Sequence, residues 1–82
     1  MSKQQQVDEI IEALQELEED STVPRNIRAK VAGTIQILQS KDELKLRIDK
    51  ALQEMEEIAS DNNMQSYTRA QIWNIVSMLE SL

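Results

Sequence analysis

The chain has 82 residues, 40% of them apolar, with one Gly, one Pro and neither Cys nor His. That length supports one domain around one core, and the missing Cys and His exclude disulfides, thiolate nucleophiles, zinc sites built on those ligands and the usual neutral-pH general base. The formal net charge is −6, and residues 1–20 hold seven acids against Lys3 alone, an excess that repels nucleic acid and anionic lipid at long range.

In the first segment Val7, Ile10, Ile11, Leu14 and Leu17 recur at the three-and-four spacing of one helical face, while Asp8, Glu9, Glu12, Glu16 and Glu19 turn away. The spacing predicts an amphipathic helix over about residues 4–19, with residues 1–3 frayed. Thr22 can cap the next helix, and Pro24 suits its first turn because a fixed φ and a missing N–H cost nothing there. Ile27, Val31, Ile35 and Leu38 form its stripe, which ends near Gln39. Gly33 lies inside it at a penalty of about 1 kcal/mol relative to Ala, which argues for close packing beside Ala29 and Ala32 or for a bend.

The stretch SKDE at 40–43 fits a capping box between Ser40 and Glu43. A third helix then carries Leu44, Ile48, Ala51, Leu52, Met55 and Ile58 inward as far as about Ser60, where DNN breaks the pattern. The fourth runs from about Gln65 to Glu80 on Ile72, Ile75, Val76 and Leu79. Connections this short favour antiparallel neighbours.

A shift of 41 residues superposes Asp8 on Asp49, Glu16 on Glu57, Asp20 on Asp61, Arg28 on Arg69, Ala29 on Ala70 and Leu38 on Leu79. The apolar positions follow, with Val7 on Ile48, Leu14 on Met55, Leu17 on Ile58, Val31 on Ile72 and Ile35 on Val76. A period near 40 with two helices per unit is that of HEAT-like repeats, and the resemblance lies in the turn Asp (Asp20, Asp61) and the following Arg-Ala (Arg28-Ala29, Arg69-Ala70). Those carboxylates are expected to brace the turns by meeting free N–H groups of the next helix and the guanidinium. Two units are too few for a solenoid. The expected fold is therefore all-α: a compact antiparallel four-helix bundle of two HEAT-like hairpins, at about 4–39 and 42–81.

DSTVPRNIR in the first half and DNNMQSYTRAQIWNIVSMLESL at the end together resemble the small archaeal proteins grouped as uncharacterised protein family 0147. The likeness covers nearly the whole chain and rests on two blocks, Val23 to Arg28 and Thr68 to Glu80. Gln65 departs from it, standing where the resemblance leads to a Pro before the fourth helix. The resemblance implies a four-helix bundle and a cytoplasmic archaeal origin, and it assigns no activity.

Chemistry is sparse. Glu9, Glu12 and Glu16 share a face, but carboxylate-bridged metal bundles point their Glu inward and add Glu-x-x-His ligands. Ser40-Lys41 is accounted for by capping, and one Gly cannot build a phosphate loop. Neither an enzyme nor a cofactor is expected. No apolar run is long enough to cross a bilayer and none follows MSKQQQ, so the expected location is cytoplasmic, away from membranes.

Two partner classes remain. Trp73 lies at the margin of the fourth helix's apolar stripe, where a large aromatic either lids the core or anchors a partner, and Tyr67 and Met78 widen the arc towards the other margin. This favours a protein partner, including a second copy of the chain as a homodimer. The alternative is a nucleic-acid-associated role through phosphate contacts from Arg25 and Lys30 on the second helix and Lys41, Lys45, Arg47 and Lys50 at the start of the third.

Overall fold

The computed structural model describes residues 2–82 and contains four helices: α1 (Lys3–Glu19), α2 (Arg25–Leu38), α3 (Leu44–Ala59) and α4 (Ser66–Glu80). Each stripe anticipated for α1, α2 and α4 is buried, because a face apolar every three or four residues leaves water only by packing on its neighbour. The helices form a closed ring around one core: α1 packs on α2, α2 on α3, α3 on α4, and α4 returns to α1. The result is an antiparallel four-helix bundle of two hairpins, 32 Å long and about 20 Å across. None of its helices is long and apolar enough to cross a membrane.

The ends of the helices differ from the sequence reading. Ser2 caps α1: its Oγ accepts the Gln5 N–H (3.2 Å), and Gln5 Oε1 accepts the Ser2 N–H (3.1 Å). This reciprocal box draws Ser2 and Lys3 into the helix, where fraying was expected; Met1 lies outside the described residues. Conversely, Ser40 and Glu43 form no capping box. Glu43 is itself the N-cap of α3 without a side-chain bond, and Ser40 Oγ is buried without a partner.

The N-caps of α2, α3 and α4 are Pro24, Glu43 and Gln65, all in a proline-like conformation with φ of −55°, −55° and −67°. Gln65 thus keeps the backbone that a Pro would impose. Gln65→Pro is expected to raise stability by about 0.4–1 kcal/mol, by restricting the unfolded chain alone; equilibrium urea melts would show it.

Gly33 needs neither of the explanations its position suggested. α2 is helical through it, and a Cβ built there meets nothing within 4 Å. Ala29 is exposed, so no helix approaches on that patch. Gly33→Ala should stabilise by about 0.5–1 kcal/mol in the same melts, since only the backbone entropy of Gly is removed.

The internal repeat survives in three dimensions. Leu14 and Met55, Leu17 and Ile58, Val31 and Ile72, Ile35 and Val76, and Leu38 and Leu79 are all buried, each pair in equivalent places. Two pairs depart from this equivalence: Val7 is buried, whereas Ile48 is half-buried along with Leu44 and Leu52, and Val23 is buried, whereas Met64, which the shift of 41 residues also pairs with it, is half-buried.

Candidate functional site

The two repeated turns are built alike. Asp20 Oδ1 accepts the Thr22 N–H (2.9 Å) and hydroxyl (2.7 Å), and Asp61 Oδ1 accepts the Asn63 N–H (2.8 Å). Each carboxylate therefore folds its own turn without reaching the helix that follows it, so Thr22 serves Asp20 instead of capping α2; Asp61 Oδ2 also accepts from Asn26 Nδ2 of α2 (3.4 Å). The hydroxyl and then the N–H of Thr22 hold the Asp20 carboxyl below its ordinary value of 3.8; desolvation works against them to a lesser degree, and the Arg28 charge adds the smallest lowering. Because the folded value is depressed, the stabilisation is present above 3.8 and disappears as the pH falls through the folded value. Urea melts at a series of pH values should accordingly show the gap between wild type and Asp20→Ala closing on acidification.

The guanidinium groups do something the sequence did not announce. Arg28, Arg47 and Arg69 each occupy the fourth position of their helix and reach back to backbone carbonyls of the loop before it. Arg28 Nε donates to Val23 O (3.0 Å), and Arg69 Nη2 donates to Asp61 O (2.8 Å). Arg47 makes two such bonds, from Nε to Asp42 O (3.0 Å) and from Nη1 to Leu38 O (2.7 Å), the latter at the end of α2. The expected Asp–Arg ion pairs do not form, because Oδ1 of each Asp is already satisfied within its turn while loop carbonyls lack partners. The signal available in the sequence was the repeated distance from each loop to an Arg; in the third helix it was obscured by the surrounding lysines.

The other basic residues are dispersed. Arg25, Lys30, Lys41, Lys45 and Lys50 are exposed. Lys50 meets Asp42 Oδ2 at 3.3 Å, the only ion pair within 4.0 Å among the described residues, and at this exposure it contributes little. The acids of α1 do not converge either: among the described residues no three carboxylates are placed to hold a metal ion.

Three surface features remain. Trp73, 49% exposed, stands at a shallow hollow of about 490 Å³ formed with Met64, Arg69 and Ala70 beside the α3–α4 loop. Tyr67 is 69% exposed and lies outside that hollow, while Met78 packs on the core and lines a separate recess with Gln6, Glu9 and Ile10. The structure thus separates the three residues that the sequence grouped. A concavity of about 560 Å³ was not foreseen: Leu44, Ile48 and Leu52 of α3 face Leu79 and Leu82 at the end of α4. Its polar rim is Lys3, Lys45, Asp49 and Glu80.

These features define a small all-α protein: a four-helix bundle with braced loops and apolar side chains left partly open in several shallow concavities on its surface. Comparison with known proteins gives the lineage. The chain belongs to the uncharacterised protein family UPF0147, whose pattern it matches over residues 1–82. Among its relatives, the UPF0147 protein of Archaeoglobus fulgidus is 34% identical over 76 residues, covering 93% of this chain and 87% of that one. The Methanocaldococcus jannaschii relative is 44% identical over 68 residues, or 82% and 73% of the two chains. The fold is similar to the crystal structure of a UPF0147 protein from Thermoplasma acidophilum, with a TM-score of 0.90 at 34% identity over 96% of this chain and 94% of the other. It is likewise similar to a crystal structure of a protein of unknown function, with a TM-score of 0.89 at 42% identity over 94% and 89% of the two chains.

Proposed function

We propose that this protein is a non-enzymatic, cytoplasmic helical module that binds another protein through the surface around Trp73. The carrying observation is the half-exposed indole of Trp73 at the edge of a hollow walled by Met64, Ala70 and Arg69. A rigid aromatic beside an Arg is the kind of pair that dominates binding energy in protein interfaces, and a bundle presents it with little ordering cost. The braces at Arg28, Arg47 and Arg69 keep the neighbouring loops in place, so the surface is preformed.

The nucleic-acid reading has less support. Of its phosphate-contact candidates, Arg47 is turned to loop carbonyls and Lys50 is paired with Asp42, which leaves Arg25, Lys30, Lys41 and Lys45 on an acidic chain. An affinity capture with the full chain as bait, from the extract of an archaeon that carries the family, distinguishes the two. The expected result is a protein retained at high salt and lost with Trp73→Ala, whose helical circular dichroism is unchanged. Material that is nuclease-sensitive and released as salt rises, or a protein equally retained by Trp73→Ala, would overturn the proposal.

A further inference from the structure

The groove between α3 and α4 is a second surface, sharing no residue with the Trp73 hollow. Leu44, Ile48 and Leu52 form a single row at four-residue spacing along α3, the kind of ridge that packs against another helix. They point towards the core side of α3, with Ala51 and Met55, yet stay half-buried because no helix of this chain covers that end of the row. On α1, Val7 occupies the place equivalent to Ile48 and is fully covered.

We propose that the groove is covered by a second copy of the chain, in a two-fold dimer that lays the two α3 helices antiparallel near Ile48. The row is a palindrome about that residue, so Leu44 of each copy faces Leu52 of the other and Ile48 faces Ile48. A two-fold axis between antiparallel helices brings the same flank of both together, and that flank must therefore be complementary to itself. On α3 it carries Lys45 and Asp49, both on the groove wall. With Ile48 on the axis, Lys45 of one copy and Asp49 of the other are offset by about 3 Å along the helices, which is two residue rises, and the pairing occurs twice. The whole rim balances two bases, Lys3 and Lys45, against two acids, Asp49 and Glu80. The two Asp49 are offset across the axis by the same amount, about 3 Å, and each is countered by the partner's Lys45, so the patch carries no net charge where two chains of net charge −6 meet.

The groove is lined by fewer residues than the roughly 20–30 a side of a standard interface, so association in the micromolar-to-millimolar range is expected. Sedimentation equilibrium of the full chain up to about 1 mM should show twice the monomer mass of 9.4 kDa being approached. Lys45→Glu puts two acids together at each contact and Asp49→Lys puts two bases together, and each variant alone should dissociate about tenfold more readily. Mixed in equal amounts, the two variants should form a heterodimer tighter than either homodimer, because both cross-contacts become attractive. No rearrangement of the Lys45–Asp49 neighbours within one helix produces that rescue. A chain that stays monomeric to about 1 mM would overturn the proposal. So would a dimer indifferent to both variants, a dimer abolished by Trp73→Ala alone, or a mixture that gains nothing over the single variants.

Discussion

Leu14→Ala is expected to remove roughly half of this protein's stability. Leu14 is fully buried in the second half of α1 and has Met55 as its counterpart in the second hairpin, also fully buried. Truncating such a side chain forfeits its transfer from water and leaves a cavity that tightly packed neighbours close only in part, a loss of about 2–5 kcal/mol. A domain of 82 residues has only about 4–12 kcal/mol to lose. Urea melts should show a large fall in the midpoint with an unchanged slope, since the surface exposed on unfolding is nearly the same. Leu46→Ala supplies the contrast: its side chain is 44% exposed, and the change should stay within about 0.5 kcal/mol. Equal losses at the two positions would mean that the core is not where the structure places it.

Arg47→Ala should cost about 1.5–3 kcal/mol, the largest effect expected of any surface polar residue here. It removes two charge-assisted bonds at once and leaves the Leu38 carbonyl, one of the unpaired groups at the end of α2, without its donor. Arg47→Lys should recover little, because a single ammonium cannot serve both the Leu38 and Asp42 carbonyls as a planar fork does. Full recovery by Lys in thermal or urea melts would reduce the brace to a matter of charge. Arg28 and Arg69 each make one bond of the same kind, so their Ala variants should lose less.

Much of this architecture could be read from the order of residues. Periodicity located four helices, matching the ends at Glu19 and Glu80 and missing the other ends by one to four residues, and the shift of 41 residues anticipated most of the side chains that share equivalent places in the core. The Ser40–Glu43 pattern was misleading because a capping box depends on where the helix starts. Here Arg47 holds the Asp42 carbonyl, and α3 begins only at Leu44. Ile48 showed the limit of repeat reasoning. Its residue type matches Val7, but whether a row of apolar side chains is covered depends on what lies across from it, which the row itself does not encode. Trp73 was legible as a marginal residue, since about 100° per residue places it beside the stripe, with Met78 towards the opposite margin; the hollow that Trp73 shares with Met64 of the preceding loop emerged only from the assembled bundle.

The three arginine braces bear on how such a protein can change over generations. Arg28, Arg47 and Arg69 grip carbonyl oxygens, and every amino acid carries the same carbonyl. The grip depends on the path of the loop and is blind to the side chains along it. Mutations can therefore accumulate at Ser21, Lys41 or Asn62, all exposed, without loosening the turn, provided the arginine and the length of the loop are kept. The three loops between the helices are thus the places where a lineage can rewrite its surface chemistry while inheriting the bundle intact.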